Sequence, residues 1–362
     1  MPDLLDFVIL GGGPAGTAAA ILLAQNGRSV ALVEKNPAPA HKVCGEFFSP
    51  AVWPLLEGLG AAEQMLALGG ERITQARLET AGKAGASFPL PVSSSRFPFG
   101  YSVSRKAFDA LLISKAQDAG AEIFREEVLD VKRDSGLFEI HTRAKTLYAR
   151  NLVNATGKAH RFCAARPETA ETDKIGFKAH FKTSLAPGEI RLVFFEGGYF
   201  GITPIEGGLA NLCGIVEKEI FAGIKNFDRL ISKCGNFGGR LSEWLTCAPL
   251  PHGWSHSVHE GVFHAGDSAG FVDPFLGQGM TVALASAFAL TRAMESDNPE
   301  NSYDAALQKL YRGRFQVARI FHRAAFSAPR AALLVKTFSL FPGLAKFAAR
   351  HAGGQIPKEC MA

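Results

Sequence analysis

The sequence predicts an α/β protein in three parts: a first domain of βαβ type on a parallel sheet, a second domain built on an antiparallel β-sheet, and a C-terminal helical region. Three observations predict it. A glycine turn joins an apolar strand to a helix at the N-terminus, strand-like runs succeed one another between residues 175 and 216 with no helix between them, and a second glycine-rich turn opens a helix near residue 279. Parallel sheets need helical crossovers, whereas antiparallel strands succeed one another through tight turns. The implied boundaries are 1–70, 98–170 and 255–300 for a discontinuous first domain, 71–97 and 171–254 for the second, and 301–362 for the helical end.

Asp6 to Leu10 is a short unbroken apolar run, as expected of a buried parallel strand, and Thr17 to Asn26 has helical composition closed by Gly27. Ser29 to Glu34 supplies the next strand and completes one βαβ unit. From Glu71 to Leu90 the pattern breaks into short alternating segments, and Pro89, Pro91 and Pro98 interrupt the stretch up to residue 98, so the chain leaves the first domain there. Ala107 to Ala119 reads as a helix; Ala121 to Phe124, Glu139 to His141 and Leu152 to Ala155 read as strands returning to the first sheet. Lys178 to Lys182, Ile190 to Phe195 and Ala210 to Val216 form the floor of the second domain. A helix is expected near Phe227 to Trp244, then a strand at Gly261 to His264 and a helix from Gly279 to Met294.

Composition narrows the function. Hydrophobic residues at 47% and charged residues at 20% of 362 are those of a compact domain protein, not a disordered or fibrous chain. Phe outnumbers Tyr and Trp, 28 against 5 and 3, which a Phe-rich core explains first and a greasy substrate cavity second. Six cysteines, Cys44, Cys163, Cys213, Cys234, Cys247 and Cys360, include no Cys-x-x-Cys pair, so neither a zinc site nor a disulfide framework is expected, and a cytoplasmic location fits best. The N-terminus lacks the basic start of a signal peptide. The quiet stretch Met280 to Thr291 falls short of the ~20 apolar residues that cross a bilayer. The net charge of +5 is concentrated near the end: from Lys309 to Lys358 there are many Lys and Arg residues and no Asp or Glu. Ile320, Phe321, Phe326, Leu333, Leu334, Phe338, Leu340 and Phe347 are interleaved with them, so an amphipathic helical cap or peripheral contact with an anionic membrane explains the charge better than nucleic acid does.

Gly11, Gly13 and Gly16, with Pro14 and Ala15 between them, match the G-x-G-x-x-G pattern. The first glycine makes a tight turn, the second lets a pyrophosphate approach the backbone, and the third packs helix on strand. The helix start attracts the diphosphate through its free amides and dipole. Glu34, with Lys35 after it, ends the second strand where a carboxylate can accept both ribose hydroxyls of an adenosine and would repel a 2′-phosphate. The nucleotide is therefore FAD or NAD, not NADP.

The string His264-Ala-Gly-Asp-Ser-Ala-Gly-Phe-Val-Asp-Pro-Phe-Leu-Gly-Gln-Gly-Met280 decides between them. It resembles the glutathione-reductase-type flavoproteins, in the branch that holds aromatic-hydroxylase-type monooxygenases, flavin halogenases and geranylgeranyl reductases. The resemblance implies a Rossmann-like FAD-binding domain in which Asp267, after Gly266, accepts a hydrogen bond from a ribityl hydroxyl. It also implies that Pro274, Gly277, Gly279 and Met280 bring backbone amides and a helix start to the flavin N1 and O2 edge, where negative charge builds on reduction. Arg105 stands where these proteins place an arginine near the diphosphate, Val128 on the strand that meets the adenine, and Thr156-Gly157 at the strand end behind the cofactor.

Lys42-Val43-Cys44-Gly45-Glu46 resembles the Cys-Gly segment of geranylgeranyl reductases that passes the isoalloxazine, which makes Cys44 and Gly45 cofactor contacts and Cys44 and Glu46 the candidate acid–base residues. Two departures matter. Tyr199-Phe-Gly-Ile-Thr-Pro204 replaces the Tyr-x-Trp-x-Phe-Pro run of the isoprenoid reductases, and the Trp-x-Trp-x-Ile-Pro motif of halogenases is absent, leaving Lys42 little weight as a halogenating lysine. Thr156-Gly157 stands where NADPH-reduced hydroxylases carry Asp-Gly, so electrons come from NAD(P)H or a reduced partner, with direct NADPH binding disfavoured. Three activities are expected, in order: oxygenation of a hydrophobic aromatic, polyketide or lipid-like substrate; reduction of an isoprenoid or lipid double bond; and electron transfer to a quinone or protein. None requires a metal.

Overall fold

A computed structural model of the chain describes residues 4–81, 83–92, 96–159, 162, 173–182, 185–248, 250, 253–353 and 356–361, so Cys163 lies outside the described residues, as does the side chain of Ile320. The first unit is strand β1 (Leu4–Leu10), helix α1 (Pro14–Gln25) and strand β2 (Val30–Val33). Strands β3 (Gln75–Thr80) and β4 (Lys83–Pro89) then leave for the second sheet. Helix α2 (Arg105–Asp118) and strands β5 (Glu122–Phe124), β6 (Val128–Asp134), β7 (Leu137–Thr142) and β8 (Thr146–Asn154) return to the first. Strands β9 (Lys174–Lys182), β10 (Glu189–Phe195), β11 (Gly198–Ile205) and β12 (Leu209–Glu217) build the second sheet, and β13 (Val262–His264) rejoins the first. Helices α3 (Gly279–Ala293), α4 (Pro299–Ala325), α5 (Ala328–Leu340) and α6 (Pro342–Gly353) complete the chain.

In the first sheet the order β13-β8-β1-β2-β5 is parallel throughout, with β1 in register Val8 to Leu152 on one side and Val8 to Ala31 on the other. β1 lies between two strands and two packed faces, which is why an unbroken apolar run suits it. Phe7 and Ile9 join the large core with α1, α2 and α3, while Leu5, Val8 and Leu10 pack with Val128, Phe138 and Ile140 of the antiparallel β6-β7-β8 meander.

The second sheet runs β9-β12-β11-β10-β3-β4, antiparallel except where β10 meets β3. That parallel pair arises because β3 comes from the excursion near residue 75 and not from the meander. Glu71–Ile73 pairs instead with Gly100–Ser102 in a small separate sheet. One face of the large sheet, with Phe177, Phe181, Phe200 and Leu212, packs on Phe227, Leu230 and Ile231. The other face, with Ile190, Phe194, Tyr199 and Ile215, meets Ala331, Val335 and Phe338 of α5. The single helix expected over Phe227 to Trp244 ends at Ser232, and Gly239–Arg240 and Leu245–Cys247 pair with β9 instead. Glycines at 235 and 238 with φ of +151° and +86° stop the helix, conformations that side chains resist.

Candidate active site

The two sheets enclose a cavity of about 760 Å³. That lies in the upper part of the roughly 300–1,000 Å³ usual for small-molecule sites. Every cofactor contact expected from the sequence lines it except Gly16: Gly11, Gly13, Pro14, Ala15, Glu34, Lys35, Cys44, Gly45, Arg105, Val128, Thr156, Gly157, Gly266, Asp267, Pro274, Gly277, Gly279 and Met280. Gly16 has the packing task its motif position implies, since a Cβ there would stand 2.0 Å from the Gly11 carbonyl oxygen. Gly11 adopts φ +102°, and a Cβ on it would meet the Ala155 carbonyl at 2.4 Å. A Cβ on Gly13 would meet nothing within 4 Å. The turn is thus closed on the protein side and open toward the cavity, and no side chain caps the start of α1, so its amides are available to an anion.

At one end of this crevice Glu34 is fixed before any ligand arrives: Oε2 accepts from the Gly12 amide at 2.7 Å, and Oε1 accepts from the Asn36 backbone and side-chain amides at 2.9 and 2.6 Å. Arg105 lies along its length, its guanidinium bonded through Nε and Nη2 to Asp109 at 2.9 and 3.0 Å, with Lys42 reaching the same carboxylate at 2.9 Å. Burial acts to lower the pKa of Arg105, but Asp109 and Cys44 together outweigh it and the group stays cationic. Lys42 is therefore a partner of Asp109, not a free cavity lysine. Lys158 lines the cavity as Lys35 and Lys42 do, and its Nζ lies 2.8 Å from the sulfur of Cys247, also in the wall.

Asp267 lines the middle of the crevice, and burial pushes its carboxyl above the ordinary range despite Lys158 and Arg105 nearby. The loop carrying it is held from outside. Tyr303 and Tyr311 of α4 donate to the carbonyls of His264 and Gly266 at 2.7 and 2.8 Å, Ser286 accepts from the Gly266 amide at 2.9 Å, and Ser268 accepts from the Gly157 amide at 2.9 Å. Gly266, at φ +61°, brings this loop against α1, where a Cβ would be 3.0 Å from that of Ala15. At the far end Gly45 and Gly279 have no neighbour within 4 Å of a Cβ position, and α3 begins at Gly279 without a side-chain cap. An acid at the adenosine end, an uncapped helix start at the centre and a second beside Cys44-Gly45 form a cradle of the shape and polarity FAD requires. The residues present fit the cofactor.

Beyond the crevice the chamber is apolar, walled by Leu78, Phe88, Ile190, Leu192, Phe275, Phe321 and Phe338. Of the two acid–base candidates, Cys44 lines the cavity. Glu46 does not: it is 0% exposed and committed elsewhere. Its Oε1 accepts from the Arg105 amide at 2.7 Å and lies 2.5 Å from Lys178 Nζ, and its Oε2 pairs with His180 Nε2 at 2.9 Å. Burial works to raise the Glu46 pKa, yet the His180 hydrogen bond and the Lys178 charge together hold it below the ordinary carboxylate value. His41, Glu46 and His180 bring three metal-capable groups together, but the Lys178 ammonium already supplies the cation that carboxylate needs.

Lys178 and His180 escaped the sequence reading, although their signal was there: Lys174, Lys178 and His180 alternate with Phe177, Ala179 and Phe181 along β9, a polar row facing the interior. Tyr303 and Tyr311 left no comparable trace, being two aromatic positions on a long helix.

Effects on flavin content and on stability are expected. Gly13→Val and Asp267→Ala should give folded protein with little or no FAD absorbance, because one fills the open side of the turn and the other removes the acceptor at mid-crevice; Gly16→Ala should instead cost about 3 kcal/mol in urea unfolding, since a backbone carbonyl cannot move aside cheaply. Glu46→Ala should destabilise by about 3–5 kcal/mol by stranding Lys178 in the interior. Because the folded pKa of Glu46 is depressed, its stabilisation is present above the ordinary value of 4.5 and lost as pH falls through the lower folded value. Unfolding measured against pH should show an acid limb that Glu46→Gln flattens.

Residues 6–175 match the family described as FAD dependent oxidoreductase. Tryptophan 2-halogenase of Chondromyces crocatus is 24% identical over 87% of this chain, which spans 66% of its length. Digeranylgeranylglycerophospholipid reductase of Methanosphaerula palustris is 28% identical over 78% of the chain and 74% of its own length. Among solved structures, the flavin-dependent brominase Bmp2 superposes with a TM-score of 0.80 at 20% identity, covering 98% of this chain and 94% of that one, a likeness of fold. With the cradle built from the residues that the motifs single out, the chain carries the FAD-dependent oxidoreductase pattern over residues 6–175 and is similar to flavin-dependent halogenases and digeranylgeranylglycerophospholipid reductases.

Proposed function

We propose that the chain is a flavoprotein monooxygenase that hydroxylates a hydrophobic aromatic, polyketide or lipid-like substrate carrying an ionisable hydroxyl. The observation that carries this reading is a chain of three groups leading outward from the apolar chamber. Tyr199 of β11 lines the cavity and its phenol donates to Asp273 Oδ1 at 2.8 Å. The Phe275 amide donates to the same oxygen at 2.9 Å, and the other carboxylate oxygen pairs with His322 Nδ1 on α4. Asp273 is buried, whereas the His322 side chain keeps 19% exposure and can exchange protons with water.

The direction of donation matters. Tyr199 gives its proton to Asp273, so its oxygen can accept one from a substrate hydroxyl. Burial, reinforced by Asp273, holds the Tyr199 pKa well above its ordinary value, so the phenol transmits a proton without storing charge. Taking the proton from an aromatic hydroxyl enriches the ring in electrons, as oxygen insertion requires; reduction of an alkene requires a proton to be delivered instead. FAD, when bound and reduced by NAD(P)H or a reduced partner, would supply two electrons to dioxygen, one oxygen atom entering the substrate and the other leaving as water. The Phe- and Leu-lined chamber excludes bulk water from that exchange.

Cys44 favours a second reading, reduction of a lipid double bond, since the residue lines the cavity and its thiol, beside Arg105, is a group able to deliver a proton. The two readings separate with 4-alkylphenols of graded chain length as probes. Under oxygenation, reduced protein in air converts them to products heavier by one oxygen, and Tyr199→Phe lowers that turnover by roughly 10²-fold while Cys44→Ser leaves it within a few-fold. A product gaining two hydrogens from an alkenyl probe under anaerobic conditions, lost in Cys44→Ser and kept in Tyr199→Phe, overturns the first reading.

A further inference from the structure

Helices α5 and α6 carry two opposed faces. Inward, Phe338 of α5 and Ala345, Ala348 and Ala349 of α6 form part of the cavity wall. Outward, Leu333, Leu340, Phe341, Leu344 and Phe347 are 46–66% exposed, and they make up most of the exposed large hydrophobic residues among those described. The spacing explains the division: Leu333 and Leu340 stand one heptad apart on α5, while Leu344 and Phe347 stand one turn apart just past the bend at Phe341. Soluble surfaces seldom gather apolar side chains in this way without a partner.

The charge around the patch identifies that partner. Arg330, Lys336, Lys346 and Arg350 are all exposed on the same two helices, and no Asp or Glu occurs from Lys309 to Lys358. A carboxylate from elsewhere in the chain, that of Glu196, accepts from the Ala328 amide, at the opposite end of α5 from the bend. Apolar side chains rimmed by cations fit a surface that is apolar inside and anionic outside. No single described helix is long and apolar enough to cross a membrane; the pair Ala328–Leu340 and Pro342–Arg350 is apolar enough together but turns through 109°. A pair bent in this way suits the plane of an interface better than a crossing.

We propose that the outer face of α5 and α6 docks on an anionic lipid surface, with Leu340, Phe341 and Leu344 entering the acyl boundary and Lys336, Lys346 and Arg350 pairing with headgroups. The inner face of the same helices then puts the wall of the apolar chamber next to the bilayer, the phase in which a lipid-like substrate dissolves. The docking holds whichever reaction the chamber runs, and vesicle binding without turnover tests it separately from the proposed function.

The test is co-sedimentation of the flavin-loaded full-length protein with phosphatidylcholine vesicles containing about 30% phosphatidylglycerol or none, a composition on the order of a strongly anionic leaflet. Binding should be at least tenfold tighter to the anionic vesicles and weaken with added salt. Leu340→Ser with Phe341→Ser should lower it about tenfold or more. Lys336→Gln, Lys346→Gln and Arg350→Gln should each lower it several-fold on the anionic vesicles alone. These positions are exposed, and retained flavin absorbance verifies folding. In the unaltered protein, vesicles should slow hydrogen exchange across 333–350. Absence of binding to the anionic vesicles, equal binding by the variants, or a dimer in light scattering that the double serine variant dissolves would each overturn the proposal, the last by showing that a second copy covers the patch.

Discussion

Glu46 sits at φ +54° in a fully buried position, a costly backbone conformation for a side chain with a Cβ and a costly place for a charge. Both costs are met by the groups converging on it: the first amide of α2 from the first sheet's side, and Lys178 and His180 of β9 from the second. One carboxylate therefore bolts the loop 41–46, the helix that presents Arg105, and the sheet that roofs the chamber. Neighbouring contacts repeat the theme. Glu206 accepts from the Ser104 amide at 2.9 Å and Asn211 donates to the Cys44 carbonyl at 3.0 Å. The start of α2 is thus gripped by two acids from different parts of the chain, and the distance between crevice and roof is set before any ligand binds.

That fixed distance gives the cavity its two characters. Its lower half is polar because strand ends and helix starts leave backbone amides without intrahelical partners, and glycines at 13, 45 and 279 keep side chains out of the way. Its upper half is apolar because Leu78 of β3, Phe88 of β4, Ile190 and Phe194 of β10 and Tyr199 of β11 form one apolar row that packs with α5. Tyr199 belongs to that apolar row, yet its hydroxyl finds Asp273 on the loop that leads into α3, so the hydrogen-bonded chain through Asp273 and His322 starts where the two halves meet. The aromatic packing of Tyr199 on Phe275 and Phe326 fixes the ring that bears it.

The cofactor crevice was legible in the sequence because each of its demands falls on adjacent residues. A tight turn, a close approach and a helix start write themselves as Gly11, Gly13 and Gly16, and the strand, loop and helix of residues 264–280 are one contiguous string. The βαβ unit and the antiparallel succession were legible for the same reason, being local periodicities. What was not legible depends on side chains that meet from far apart: Glu46 with His180, Tyr199 with Asp273, Asp273 with His322. Glu46 read as a candidate acid because its neighbours in sequence, Cys44 and Gly45, do line the cavity, and one further residue turns the side chain to the opposite side. The helix expected over Phe227 to Trp244 is too long because apolar spacing continues past Ser232, where glycine conformations and pairing to β9 take over.

The proposed activity rests on one preorganised crevice whose residues fit FAD, with Cys44-Gly45 and the start of α3 at its ring end, beneath the apolar chamber. A crystal structure of the protein purified with its flavin measures this directly. Adenosine is expected beside Glu34 and Val128, the ribityl chain at Asp267, and the isoalloxazine between residues 44–45 and 277–279 with Tyr199 facing the space above it. A flavin ring lying elsewhere, or a Tyr199 hydroxyl cut off from that space, would contradict it.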